Sequence, residues 1–141
     1  MIAYDAEIMI DRPAAEVFPY LAQIAHFPKW MGGTSTSAIS DGPMRVGYRY
    51  RYQTDEGEFE MEVTDLEPGR RVGMRTLSGP FEWTGSFEVE DAGDRGSRVS
   101  SRGQTRLRGL LRLVQPFVAG ETRKRGQQDL VRLKALVESA A

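Results

Sequence analysis

Between residues 46 and 106 the chain repeats one arrangement five times. Apolar residues alternate with charged ones, and the sign of the charge flips from each stretch to the next. Arg49 and Arg51 lie between Val46, Tyr48, Tyr50 and Tyr52; Glu58, Glu60 and Glu62 lie between Phe59, Met61 and Val63. Arg71 and Arg75 then alternate with Val72, Met74 and Thr76. Glu82, Glu88 and Glu90 alternate with Phe81, Trp83, Gly85, Phe87 and Val89, and Arg98, Arg102 and Arg106 with Val99, Ser101, Gly103, Thr105 and Leu107. A period of two places alternate side chains on opposite faces of a strand, so each stretch predicts a strand with one buried and one wet face. Opposite charges on adjacent strands attract by roughly 0.2–1 kcal/mol per cross-strand pair. The alternation of sign therefore predicts an antiparallel meander in which each strand pairs with the next. Thr54-Asp55-Glu56-Gly57, Pro68-Gly69, Ser78-Gly79-Pro80 and the polar run 91–97 supply the turns.

The flanking segments extend this frame. Ile2, Tyr4, Ala6, Ile8 and Ile10 alternate with Asp5, Glu7 and Met9, giving an acidic first strand that suits a place beside the basic last one. A helix over about 13–22 follows, with Asp11 as its N-cap, Pro13 in the first turn and Val17, Phe18 and Leu21 as its apolar stripe. Residues 25–31 read as a second short helix stopped by Gly32-Gly33, and 34–40 as a weak strand before the turn at Asp41-Gly42-Pro43. From 107 to 140 the spacing is helical, with a kink predicted at Pro116 and loosening at Gly120 and Gly126.

A chain of 141 residues suits one domain, 1–141, with a single core. There is no cysteine and only one histidine, which removes thiol chemistry and a two-histidine zinc site, so no metal is expected. No apolar run approaches the ~20 residues of a membrane span, and the acidic N-terminus is unlike a signal peptide. The chain reads as complete and cytoplasmic. Net charge is −1, but residues 1–94 hold 8 Lys/Arg and 17 Asp/Glu, while residues 95–141 hold 11 and 3. A basic half can mark a nucleic-acid partner. Here the arginines alternate as a solvated sheet face, and a nucleic-acid partner is not expected.

The order of elements resembles the helix-grip fold. The segments RPAAEVFPYLAQIAHFPKWMGG, GPMRVGYRYR, EVTDLEPGRRVGMRTLSGPFEWTGSFEVE and DLVRLKALVE are similar to the polyketide cyclase/dehydrase and lipid-transport group of START-like proteins, over essentially the whole chain. The resemblance implies an α+β fold: a curved seven-stranded antiparallel sheet wrapped around a long C-terminal helix, with two short helices after the first strand and a cavity between sheet and helix. The residues support such a cavity independently. The inward positions Tyr48, Tyr50, Phe59, Met61, Met74, Trp83 and Phe87 are soft or aromatic, and Gly85, Ser101 and Gly103 leave room. Leu110, Val114 and Phe117 carry the apolar stripe of the closing helix. The competing interpretation is a collapsed core, since aromatic residues and methionine at period two usually only pack.

Two polar groupings remain. In AHFPKWMGG, residues 25–33, Phe27 and Trp30 share a helix face that packs onto the sheet edge or the long helix, near where the resemblance implies the cavity mouth. His26 reads as a partly exposed residue at the helix start, and no nucleophile-elbow serine accompanies it. Glu121 and Arg125 form either an i,i+4 surface pair or a polar anchor for a ligand head at the kink. The expected function is binding of a hydrophobic or amphipathic small molecule such as a lipid, quinone or polyketide. One alternative is a polyketide cyclase, aromatase or dehydratase in the same cavity, using Tyr50, Ser101, Glu121 or Arg125. Another is an interaction protein with a membrane or ribosomal partner. No cofactor is called for, no catalytic residue is assigned, and a homodimer is compatible with the sequence.

Overall fold

The alternating stretches form the strands of one sheet. The structure is a computed structural model that describes residues 2–107 and 115–140, with side chains described for 2–94, 96–106 and 124–140. In chain order the elements are β1 (Ile2–Ile10), α1 (Ala14–Ala22), a 3-10 turn (Ile24–His26), α2 (Phe27–Trp30), β2 (Ser35–Ala38), β3 (Arg49–Thr54), β4 (Gly57–Glu67), β5 (Arg71–Ser78), β6 (Phe81–Asp91), a second 3-10 turn (Gly93–Arg95), β7 (Ser97–Leu107) and α3 (Gln115–Ser139). The seven strands pair in the order β1-β7-β6-β5-β4-β3-β2, all antiparallel. That is a meander with the first strand folded back beside the last.

The charges sit where the alternation predicts. Arg75 reaches Glu62 at 2.9 Å, Arg51 reaches Glu58 at 3.4 Å, and Arg98 bridges Glu90 (2.9 Å) on β6 and Glu7 (3.4 Å) on β1. These exposed pairs specify neighbours and register more than they stabilise. Register shifts at Glu60/Met61 and Val63/Asp65 bulge β4 against β5, a device that bends and twists a sheet. The concave face receives α3 along Gly126, Leu130, Leu133 and Val137, all buried. At the end of the sheet nearest α1, Ile10, Val17, Leu21, Val89, Val99 and Leu133 close into solid core with almost no exposure.

Four local expectations need correction. Asp11 does not cap α1: Pro13 is the N-cap, and Asp91 at the end of β6 accepts the Ala14 N–H (2.8 Å), while the Asp11 N–H donates to Glu138 Oε2 (2.8 Å). Val46 is not in a strand but 61% exposed, because Gly47 turns the chain at φ 91° before β3 begins. The helix expected over 25–31 divides into the 3-10 turn and a single α turn. Leu107 closes β7 rather than opening the last helix, and the kink expected at Pro116 turns on residues 108–114, which lie outside the described ones.

Candidate functional site

In a meander of this order, the β3–β4 hairpin, the β5–β6 turn, the start of β1 and the end of β7 all meet at one end of the sheet. There α3 and the sheet leave a cavity of about 1020 Å³. That is ample for a lipid- or polycycle-sized molecule. Its walls are the inward positions of six strands and the α3 face from Lys124 to Asp129.

The space exists because residues that would fill it are small or lie flat. Gly85 and Gly103 face each other across β6 and β7. A Cβ on Gly85 would fall 2.4 Å from the Trp83 ring, and one on Gly103 would fall 2.6 Å from the Tyr4 hydroxyl. The two rings lie over this bare strip, remain only partly buried and border the cavity. Trp83 Nε1–H donates to the Tyr4 oxygen (3.0 Å).

Three tyrosines line the cavity and differ in how their hydroxyls are used. Tyr50 is fully buried and donates to Met74 Sδ (2.9 Å), a weak acceptor. Tyr52 donates to the Gly32 carbonyl, tying β3 to the Gly32-Gly33 turn. Tyr4 accepts from Trp83. Burial pushes all three phenols above their ordinary range, so each stays protonated near neutral pH.

At the mouth, Arg125 on α3 reaches Glu56 on the β3–β4 hairpin (3.1 Å), closing one side of the opening with an exposed ion pair. Burial alone would raise Glu56, but the hydrogen bond from Arg125 holds its carboxyl below the usual range. Asp129 lies one helical turn further along α3. Burial pushes its carboxyl up to about 7, although Arg132 and Arg125 both pull it down. Arg132 pairs with Asp129 and also donates to the Trp30 carbonyl (3.0 Å), pinning α3 to α2.

Of the residues expected at a site, Tyr50, Phe59, Met61, Met74, Trp83, Phe87, Ser101 and Arg125 line this cavity. Phe27, Trp30 and Tyr48 lie in the core instead: Phe27 stacks on Tyr50 (5.8 Å), Trp30 meets Phe87 edge-on (5.1 Å) and donates to the Tyr20 carbonyl (3.1 Å), and Tyr48 packs beside Tyr50 (6.5 Å). They back the wall rather than form it. Arg125 pairs with Glu56 of the hairpin, and Glu121, Leu110, Val114 and Phe117 fall outside the described side chains. His26 packs its ring on Tyr20 (4.6 Å), away from the cavity lining. Burial, and then Lys29, lower its pKa. Among the cavity groups that sequence reasoning did not single out are Tyr4, Tyr52, Glu56 and Asp129. The readable signal for Tyr4 was its inward place on β1 opposite a strand that carries a glycine.

Among the described residues, no cluster of three or more His, Asp or Glu is arranged to hold a metal ion, and no helix is long and apolar enough to cross a membrane. A family model described as polyketide cyclase / dehydrase and lipid transport matches residues 1–138. A START superfamily protein from Mycobacterium smegmatis superposes with TM-score 0.79 at 13% identity, covering 98% of both chains. The di-domain ARO/CYC protein BexL of the BE-7585A biosynthetic pathway superposes with TM-score 0.72 at 22% identity, over 98% of this chain and 47% of that one. Translation initiation factor IF-2 of Bacillus cytotoxicus is 34% identical over 108 residues, 75% of this chain; the chain spans only 15% of that factor's length.

Proposed function

The chain belongs to the polyketide cyclase / dehydrase and lipid-transport family, and from that premise we propose that residues 1–141 act as one START-like domain that binds a hydrophobic or amphipathic small molecule between sheet and α3. The observation that carries the reading is a large cavity whose wall includes seven aromatic and three methionine side chains, beside a solidly packed core. Gly85 and Gly103 let the Trp83 and Tyr4 rings lie flat along the sheet rather than stand into the space. Apolar walls with a few fixed polar groups suit a ligand oriented by one or two hydrogen bonds. The mouth residues Lys124, Arg125, Glu56 and Asp129 are its polar threshold. The initiation factor's activity is not carried over, given how little of that protein is matched.

Equilibrium dialysis with fluorene and with oleic acid tests the proposal. Saturable one-to-one binding of at least one, with a melting temperature that climbs with its concentration, is expected. Absence of saturable binding by both would overturn it.

One observation favours a second reading, a cyclase or dehydratase in the same cavity. Asp129 is a carboxyl poised near neutrality that faces the same space as a protonated phenol, an arrangement suited to moving a proton from carbon to oxygen. On that reading Asp129→Asn abolishes turnover of a poly-β-ketone substrate while leaving fluorene binding intact. Undiminished turnover in the variant would remove Asp129 from the chemistry.

A further inference from the structure

Tyr4 is held more elaborately than packing requires. Gly103 sits opposite it on β7, where an added Cβ would lie 2.6 Å from its hydroxyl and 2.7 Å from Cζ. On the other side Gly126 of α3 approaches so closely that a Cβ there would lie 3.0 Å from Cδ2 and Cε2. The ring is thus clamped between a strand glycine and a helix glycine. Each costs about 0.5–1 kcal/mol relative to alanine in a regular element, and glycine inside a strand commonly marks the close approach of another group. A third glycine, Gly85, lets the Trp83 ring lie flat so that its N–H reaches the Tyr4 oxygen.

The result is a phenol oxygen supplied with a donor. Trp83 donates to it, and the Ser101 hydroxyl is its neighbour on the cavity wall. Tyr50 and Tyr52 direct their own protons to Met74 and to Gly32. Among the hydrogen bonds of the described residues, Tyr4 is the tyrosine of the three that accepts; with Trp83 on its oxygen, the neighbouring Tyr4 and Ser101 hydroxyls share one hydrogen bond between them and have one proton left to offer the cavity. Its position is also specific. Tyr4 and Gly103 lie one inward step below the rim pair Ile2 and Thr105, roughly 7 Å along the strands.

We propose that Tyr4, held by Trp83, Gly103 and Gly126, is an oxygen anchor within the cavity, and that the molecule bound there is an apolar one carrying a carbonyl or similar acceptor oxygen rather than a plain hydrocarbon. This rests on the ligand-binding reading above and narrows it. A plain acyl chain would leave the remaining proton unanswered in an apolar space, which is unfavourable. A ketone or quinone oxygen would take it.

Fluorene and 9-fluorenone are matched in shape and differ by that oxygen, so their dissociation constants, compared in the unmodified protein and in Tyr4→Phe, test the idea. Fluorenone should bind the unmodified protein roughly fivefold more tightly than fluorene, the gain of one neutral hydrogen bond. Tyr4→Phe should abolish that preference, bringing the ratio of the two dissociation constants close to one. The infrared carbonyl stretch of bound fluorenone gives a reading that needs no variant: in the unmodified protein it should fall below its value in hexane. Equal binding of the two probes, a preference that survives Tyr4→Phe, or an unshifted stretch would each overturn the anchor while leaving the cavity reading standing. Failure of both probes to bind would remove the two together.

Discussion

Replacing Gly103 by alanine tests the clamp on Tyr4. The new methyl would fall 2.6, 2.7 and 2.8 Å from Oη, Cζ and Cε1 of Tyr4, where ordinary contacts begin beyond 3.4 Å. The ring would have to move by the better part of an ångström. It has little room to give, because Gly126 of α3 stands against its other side, where a Cβ would lie 3.0 Å from Cδ2 and Cε2. Overpacking of this kind costs about 1–3 kcal/mol. Alanine returns about 0.5 kcal/mol or more by restricting the unfolded chain. A net loss of about 1–2 kcal/mol is expected, or a fall in melting temperature of about 3–6 °C for a chain of this size. Urea unfolding should show a lower midpoint with an unchanged slope. The assignment to Tyr4 is checked by repeating the substitution in Tyr4→Ala, where the loss should vanish. An equal loss in both backgrounds, or a neutral Gly103→Ala, would refute the clamp.

Asp129 predicts a pH dependence. Its folded carboxyl titrates near 7 against 3.8 in an ordinary setting, so between those values the folded chain holds a proton that the unfolded chain has released. Stability should therefore fall as pH rises from about 4 to about 7, by up to roughly 4 kcal/mol, and level off above. Asp129→Asn should flatten that slope, and urea midpoints at pH 5 and pH 8 would show whether it does. Asp91→Ala should cost about 1 kcal/mol by uncapping α1. Asp11→Ala should be close to neutral, and the reverse ranking in thermal melts would mean that the cap lies where the local sequence puts it.

That pair of aspartates illustrates what a sequence can and cannot disclose here. Alternation and charge sign are local, so β3 through β7 and the pairing of β1 with β7 could be read directly from Glu7, Arg98 and their neighbours. The cap on α1 is not local: Asp91 reaches it from 77 residues away, and nothing near Ala14 announces that. The cavity walls were legible as inward aromatics and methionines, because period two assigns them a face. Whether a given aromatic lines space or backs it was not legible, since Phe27 and Trp30 look identical to Phe59 and Trp83 until the sheet curves. Asp129 was hidden by its spacing. With Arg132 three residues on, it reads as an ordinary surface ion pair, and only its place in the cavity lining, within electrostatic reach of Tyr52, makes it a buried acid. Tyr4 looked like any inward strand residue. What distinguishes it is the coincidence of three glycines on three elements.

The central claim is that a ligand enters the space between sheet and α3, and methionine positions make it directly measurable. Met31, Met61 and Met74 border the cavity, whereas Met9 and Met44 do not. In methyl spectra of methionine-labelled protein titrated with fluorene, the signals of Met31, Met61 and Met74 should shift together and saturate at one equivalent, with Met9 and Met44 unmoved. Shifts confined to Met9 and Met44, or none at all, would contradict the account.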